Sequence, residues 1–196
     1  MSLKNSYTTS DCLQWDSATN LVRKLYRDKN YRISLLVGCG IFFGLRISDL
    51  LQLTWDMLLS DKSFELIEKK TKKHREIRIN SNFQKHVQKC YDALSIADRS
   101  EKCFISRKNS VYSIQRINVL LKGIKAKYSL KSVKNFSSHS LRKTFGRHVY
   151  EKADTNGEMA LVMLSELFNH SNIAITKRYL GLRKEEILHC YDLLEF

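Results

Sequence analysis

The chain has 196 residues, of which 43% are hydrophobic and 28% charged, enough for one domain with a sizeable core and too few for two comfortable ones. Its longest apolar run, residues 33–45, contains three glycines and is too short to cross a bilayer, so it is predicted to be a buried helix. Lys and Arg total 34 against 20 for Asp and Glu, and the net charge of +14 attracts polyanions. Nucleic acid is the commonest such partner, while a phospholipid surface or a solvated basic face remain alternatives.

The cysteines argue against a metal or redox role. There are five, widely spaced and without a CxxC pair, which disfavours a zinc site and a thioredoxin-like motif. Reduced thiols and a mostly polar start without a signal peptide predict a cytoplasmic protein.

The first half of the chain has mainly helical periodicity. Ser10 and Asp11 resemble a helix start, and five apolar residues follow at helical spacing. A largely buried helix is predicted over Tyr31 to Phe43, ended by Gly44, and a short one over Ile47 to Leu53. The predicted core positions of these segments are Leu13, Ala18, Leu21, Val22, Leu25, Leu50, Leu51 and Leu53.

The period then changes to that of strands. Phe64 to Glu68 and Glu76 to Ile79 have strand character, with Lys69 to Arg75 as the connecting loop. Phe104 and Ile105 are predicted to form a third short strand.

The second half returns to helices. They are predicted over 81–97, 111–128, 139–152, 157–168 and 183–194, with a short turn of helix before the last. Ser137 or Ser138 caps the helix that begins at His139. The predicted core residues of the 111–128 helix are Ile114, Ile117, Val119, Leu120, Leu121 and Ile124. The chain is thus predicted to be a mainly α (α+β) protein with a small antiparallel sheet at one edge.

Four motifs stand in order along the chain. The first is Gly44-Leu-Arg46-Ile-Ser-Asp49, the second Lys70-Thr71 between the predicted strands, the third His139-Ser-Leu-Arg142, and the fourth His170 followed nine residues later by Tyr179. In this order and spacing they resemble the tyrosine recombinases of the phage integrase family, from about Ser10 to the C-terminus. The resemblance implies a helical catalytic domain from a mobile genetic element that integrates or excises DNA.

The chemistry of DNA strand transfer explains these residue types. Attack on a phosphodiester places extra negative charge on the non-bridging oxygens, which the Arg46 and Arg142 guanidinium groups can bind with paired hydrogen bonds. Tyr179 is the candidate nucleophile, forming a 3′-phosphotyrosine that stores the bond energy, so neither ATP nor a metal ion or other cofactor is expected. Lys70 is assigned as general acid for the leaving 5′ oxygen, although its lysine neighbours leave that choice open.

The resemblance assigns the remaining roles. His139 is expected to exchange a proton with Tyr179, and His170 to hydrogen bond the scissile phosphate. Asp49 is expected to orient the active-site cluster, which is compatible with an ordinary ion pair one helical turn from Arg46. The residues expected to contact double-stranded DNA are Lys69, Lys72, Lys73, Arg75 and Lys143.

Two departures from the family pattern concern single residues. Lys143 stands where many members have a histidine or arginine, and Phe168-Asn169-His170 replaces a common Leu-Gly-His. Neither change removes a group that the reaction needs.

A third departure concerns domains. Residues 1–196 are predicted to be one catalytic domain, without the N-terminal domain by which members clamp the other face of DNA. The sequence is therefore interpreted as an excised catalytic half or a naturally short protein.

The last helix predicts assembly. Ile187, Leu188, Tyr191, Leu193 and Leu194 give it a broad apolar face, which can pack on its own domain or on a neighbouring protomer. The second arrangement, implied by the family, predicts a monomer in free solution and a tetramer on DNA.

Two alternatives to an active recombinase remain. One is a DNA-binding module of the same fold that has lost turnover. The other is a type IB topoisomerase-like enzyme, which uses similar chemistry for strand passage.

Overall fold

The structure, a computed structural model, describes residues 11–193. These form two compact units, the first ending at Phe145 and the second beginning at Gly146. Within the described residues, no helix is both long and apolar enough to cross a membrane.

The first unit begins with two helices, α1 (Trp15–Arg27) and α2 (Tyr31–Phe43), which pack on each other. The predicted core residues of α1 are buried, as is most of α2. The helix start predicted at Ser10 and Asp11 is wrong for Asp11, since α1 begins at Trp15 and the Asp11 carboxylate accepts the backbone N–H groups of Lys134 and Asn135; Ser10 lies outside the described residues.

Gly44 ends α2 in the left-handed region, at φ 58° and ψ 25°. A β-carbon here would lie 2.4 Å from Cδ1 of Phe145, so both the backbone and the space favour glycine. Two short helices follow, α3 (Ile47–Leu50) and α4 (Trp55–Leu58), the second capped by the Thr54 hydroxyl. Helix α4 was not predicted, because a single turn carries little periodicity.

The hairpin consists of β1 (Ser63–Ile67) and β2 (His74–Arg78), antiparallel with Glu65 opposite Glu76. The predicted strands and their connecting loop are therefore confirmed to within two residues. The prediction of a third strand at Phe104 and Ile105 is wrong. Ile105 forms only an isolated bridge with Val111, and the described sheet has two strands.

The remaining regular elements of the first unit are helices, namely α5 (Ser81–Leu94), α6 (Ile114–Lys127) and the first half of α7 (Ser138–Lys152). In α6, Ile117 and Leu121 are buried as predicted. Ile114 and Val119, which were also predicted to be core residues, are exposed, so that part of the prediction is wrong. The buried stripe of α6 is narrow because the helix lies at the surface.

The second unit contains the end of α7, a short 3-10 turn (Asp154–Asn156), α8 (Gly157–Phe168), α9 (Ile173–Leu180) and α10 (Leu182–Asp192). Asn169 and Gly181 end α8 and α9 in the left-handed region. The predicted short turn of helix is the eight-residue α9, capped by the Asn172 side chain. The mainly helical fold with a small antiparallel sheet is confirmed.

Candidate active site

The two candidate phosphate-binding arginines belong to the first unit. Arg142 on α7 is buried, and its Nη1 donates a hydrogen bond of 2.6 Å to the carbonyl of Gly44, 98 residues away in sequence. Arg46 stands two residues after Gly44, immediately before α3. The end of α2 thus brings the predicted arginine pair to one place in the first unit.

Arg46 is held by a carboxylate. Its Nη1 donates a 2.7 Å hydrogen bond to Oε2 of Glu68, the residue that follows β1. Arg75 of β2 completes the cluster, with Nη1 3.6 Å from Glu68 Oε1 and Nη2 donating to the carbonyl of Phe43. The guanidinium groups therefore have fixed directions before any ligand arrives.

The lysine turn, residues 68–73, carries the candidate general acid. The side chains of Lys69, Lys70, Lys72 and Lys73 are exposed there. Asp49 on α3 is buried, and its Oδ1 accepts the backbone N–H of Lys69 at 2.9 Å. The predicted orienting role of Asp49 thus has a partner in the turn, while the carboxylate hydrogen bonded to Arg46 is Glu68.

His139 lies one helical turn before Arg142 on α7. Partial burial of its ring, together with the charges of Arg142 and Lys143, lowers the pKa of His139 below the ordinary imidazole value. Although the residue is partly desolvated, it remains exposed to solvent. A neutral, accessible ring of this kind can accept a proton at neutral pH.

Two residues predicted to contact DNA are largely buried. Lys143 is 8% exposed, and burial lowers the pKa of its ammonium against the opposing influence of Cys12 and Asp11. Arg75 points to Phe43 and Glu68, as described above. Their contacts with DNA stay predictions, as do those of the exposed lysines.

The second unit contains the other two candidate residues. The rings of His170 and Tyr179 lie 5.4 Å apart in an edge-on arrangement, and Phe168 lies 5.6 Å from each. Nδ1 of His170 is 2.9 Å from the hydroxyl of Thr176, which is fully buried. The start of α9 thus orients the histidine beside the candidate nucleophile.

Glu68 and Thr176 were not among the predicted site residues. A carboxylate directly before a run of basic residues, at the end of an alternating strand, was the available signal for Glu68. Thr176 carried no such signal, because its polar side chain occupies one position of an ordinary helical repeat.

Comparison with known proteins supplies the family. The phage integrase family model matches residues 16–186. The probable integrase/recombinase YoeC of Bacillus subtilis is 29% identical over 174 residues, covering 88% of this chain and 90% of that protein. A tyrosine recombinase of Pseudothermotoga lettingae is 26% identical over 165 residues, covering 81% of this chain and 52% of that protein. The chain thus spans nearly all of one relative and about half of the other.

Solved structures share the fold. XerA recombinase superposes with a TM-score of 0.70 at 19% identity, over 97% of this chain and 68% of that one. XerH recombinase bound to its difH substrate superposes with a TM-score of 0.66 at 19% identity, over 92% of this chain and 53% of that one. The chain therefore belongs to the phage integrase family and has the catalytic-domain fold of the tyrosine recombinases.

Proposed function

We propose that this chain cuts and rejoins DNA at specific sites through a covalent 3′-phosphotyrosine at Tyr179. The observation that carries the proposal is the hydrogen bond from Arg142 to the carbonyl of Gly44, because it joins one proposed phosphate-binding arginine to the residue two positions before the other, Arg46. The relatives named as integrases and recombinases support the same activity.

In the first step the Tyr179 oxygen attacks phosphorus and the bond from phosphorus to the 5′ oxygen breaks. His139 takes the phenolic proton, since its lowered pKa keeps the ring neutral and able to accept it. Lys70 gives a proton to the leaving 5′ oxygen. Rejoining reverses these transfers, with a 5′ hydroxyl as the attacking group and Tyr179 as the leaving group.

Charge development on the phosphate is offset by Arg46, Arg142 and His170. By analogy with oxyanion-hole donors, each arginine contributes about 3 kcal/mol to stabilising the transition state. If the Thr176 hydroxyl donates to Nδ1 of His170, the neutral ring carries its proton on Nε2, the form that donates to a phosphate oxygen. The two arginine charges and the His170 hydrogen bond thus supply the proposed stabilisation without a metal ion.

Double-stranded DNA is the proposed substrate, and the exposed lysine turn is its proposed contact with the phosphate backbone. We further propose a monomer in free solution that assembles on paired DNA sites, ultimately as a tetramer. Ile187, Leu188, Tyr191 and Leu193 of the last segment are at least half exposed, which favours docking of α10 on a neighbouring protomer.

The test is a denaturing gel of protein incubated with nicked candidate attachment DNA. We expect a covalent adduct with the unaltered chain and with Tyr191→Phe, and none with Tyr179→Phe, while all three bind DNA equally. Unaltered protein that binds this DNA without forming an adduct would favour a binding module that has lost turnover.

A further inference from the structure

Glu68 is a buried carboxylate that joins three functional groups of the first unit. It is 1% exposed, and its Oε2 accepts hydrogen bonds from Arg46 Nη1 at 2.7 Å and from the Thr71 hydroxyl at 2.6 Å. Its Oε1 forms the 3.6 Å ion pair with Arg75. One side chain therefore contacts an arginine proposed to bind phosphate and the turn that carries Lys70.

The negative charge of Glu68 is balanced by the neighbouring guanidinium groups of Arg46 and Arg75. Burial by itself raises the pKa of this carboxyl, but the Thr71 hydrogen bond and the charges of Arg46 and Arg75 outweigh it, so the pKa lies below the ordinary value. The group is therefore ionised at neutral pH. Removing its charge leaves Arg46 and Arg75 close together without their shared counter-ion.

The backbone of the lysine turn is fixed around the same residue. Glu68 donates its N–H to the carbonyl of Lys73 at 3.0 Å, and Lys72 donates to the carbonyl of Glu68 at 2.9 Å. Lys72 occupies the left-handed region at φ 57°. On the other side, Asp49 accepts the N–H of Lys69. Lys70 thus lies in a turn with defined backbone geometry, although its own side chain is exposed.

We propose that Glu68 is a positioning residue that fixes the guanidinium of Arg46 and, through Thr71, the turn that presents Lys70. The inference deepens the proposed function and rests on it, because it assumes that Arg46 binds the scissile phosphate and that Lys70 protonates the leaving oxygen. One carboxylate then sets both the group that stabilises charge and the group that delivers the proton.

The two contacts of Glu68 can be tested separately. Glu68→Gln removes the charge that holds Arg46 with little change in shape, and Thr71→Val removes only the hydroxyl that ties the turn to Glu68. Glu65→Gln is the matched control, since Glu65 is an exposed carboxylate on β1, the strand that directly precedes Glu68. Thermal melting of each variant separates a local effect from loss of folding.

The rate of adduct formation is measured at saturating protein on two nicked substrates, one ordinary and one with sulfur in place of the bridging 5′ oxygen. A thiol has a pKa of about 8.5, far below that of an alcohol, so a sulfur leaving group departs without a general acid. On this substrate the placement of Lys70 no longer limits the rate, whereas the placement of Arg46 still does.

On the oxygen substrate we expect Glu68→Gln to slow adduct formation roughly 10- to 100-fold, by analogy with the loss when the hydrogen-bond partners that orient metal ligands are removed. For Thr71→Val we expect a smaller loss that disappears on the sulfur substrate, while Glu68→Gln keeps part of its loss there. The control should match the unaltered chain on both.

The proposal is overturned if Glu68→Gln reacts at the unaltered rate, or if the loss in Thr71→Val is absent or is the same on both substrates. If Glu68→Gln fails to fold, the rates of adduct formation by Thr71→Val on the oxygen and sulfur substrates decide whether the proposal holds. Failure of the proposed function looks different, because the unaltered chain would then form no adduct on either substrate.

Discussion

The arginine cluster of the first unit (Arg46, Glu68, Arg75 and Arg142) and the last helix of the second unit contrast in what they bury. The cluster buries charged side chains, and the helix exposes apolar ones. Arg142 and Glu68 are charged and buried, and their side chains are fixed by hydrogen bonds of 2.6–2.7 Å. On α10, Leu188 and Tyr191 are apolar and exposed, while Glu185 and Glu186 form surface ion pairs with Arg147 and Lys177. Burying charge is costly unless it is compensated, and exposing apolar surface forgoes hydrophobic stabilisation.

Under the proposed function, the two regions have different tasks. Groups that bind a reacting phosphate work best when their geometry is set in advance, and the hydrogen bonds of Arg46 and Arg142 favour that proposed role. A surface that docks on a partner must be accessible before it docks, and surface ion pairs contribute little to holding it in place. Changes in the first region should therefore affect chemistry, and changes in the second should affect assembly.

The largest effect is expected at Arg142. Arg142→Lys keeps the charge but loses the planar fork that can donate to Gly44 and to phosphate together. We expect adduct formation to slow roughly 100-fold or more, with DNA binding nearly unchanged. Arg23→Lys on the exposed face of α1 is the control, and an equal rate for both variants would show that Arg142 has no special position.

The next effect concerns stability and compares two glycines at left-handed helix ends. A β-carbon on Gly44 meets Phe145 at 2.4 Å, whereas one on Gly181 (φ 85°) meets nothing within 4 Å. Backbone strain plus overpacking predicts a loss of about 3 kcal/mol of unfolding free energy for Gly44→Ala, against about 1 kcal/mol for Gly181→Ala. Urea titrations followed by circular dichroism measure both, and equal losses would mean that crowding at Gly44 is relieved at no cost.

Truncation of the last helix tests whether the second region acts in assembly. Deleting the residues after Leu182 should reduce paired-site complexes and recombination by tenfold or more, about 1.4 kcal/mol, while single-site binding changes little. The double variant Ile187→Ser/Tyr191→Ser should act in the same direction, and Val119→Ser, an exposed apolar residue of α6, should not. Equal loss of solubility, single-site binding, adducts and paired-site complexes would show that α10 only completes its own unit.

The smallest expected effect is a shift in the pH dependence of adduct formation, caused by a change in the pKa of His139. Because the pKa of His139 is lowered, the ring stays neutral below the ordinary imidazole range, and adduct formation should fall only in more acidic solution. Lys143→Met removes a nearby positive charge, so the pKa of His139 should rise and the acid limb of the rate should move to higher pH. Lys122→Met on α6 is the control, and an unmoved acid limb in Lys143→Met would show that another group titrates.

Periodicity and motif order predicted most of the fold and the order of the candidate residues. They failed where tertiary contacts decide: Val119 has the helical spacing of a core residue, yet it is exposed because α6 is covered on one narrow face. Lys143 has the charge of a surface residue, yet it is buried. The partnership of Glu68 with Arg46 depends on how the hairpin folds back toward α3, which residue spacing does not encode.

The central claim is that Tyr179 becomes covalently bound to the 3′ end of a cleaved strand. Adducts made on nicked DNA can be digested with nuclease and protease and the nucleotide-bearing peptide identified by mass spectrometry. We predict a 3′-linked nucleotide on the peptide that contains Tyr179. A nucleotide on the peptide of Tyr191, or one attached through a 5′ phosphate, would contradict it.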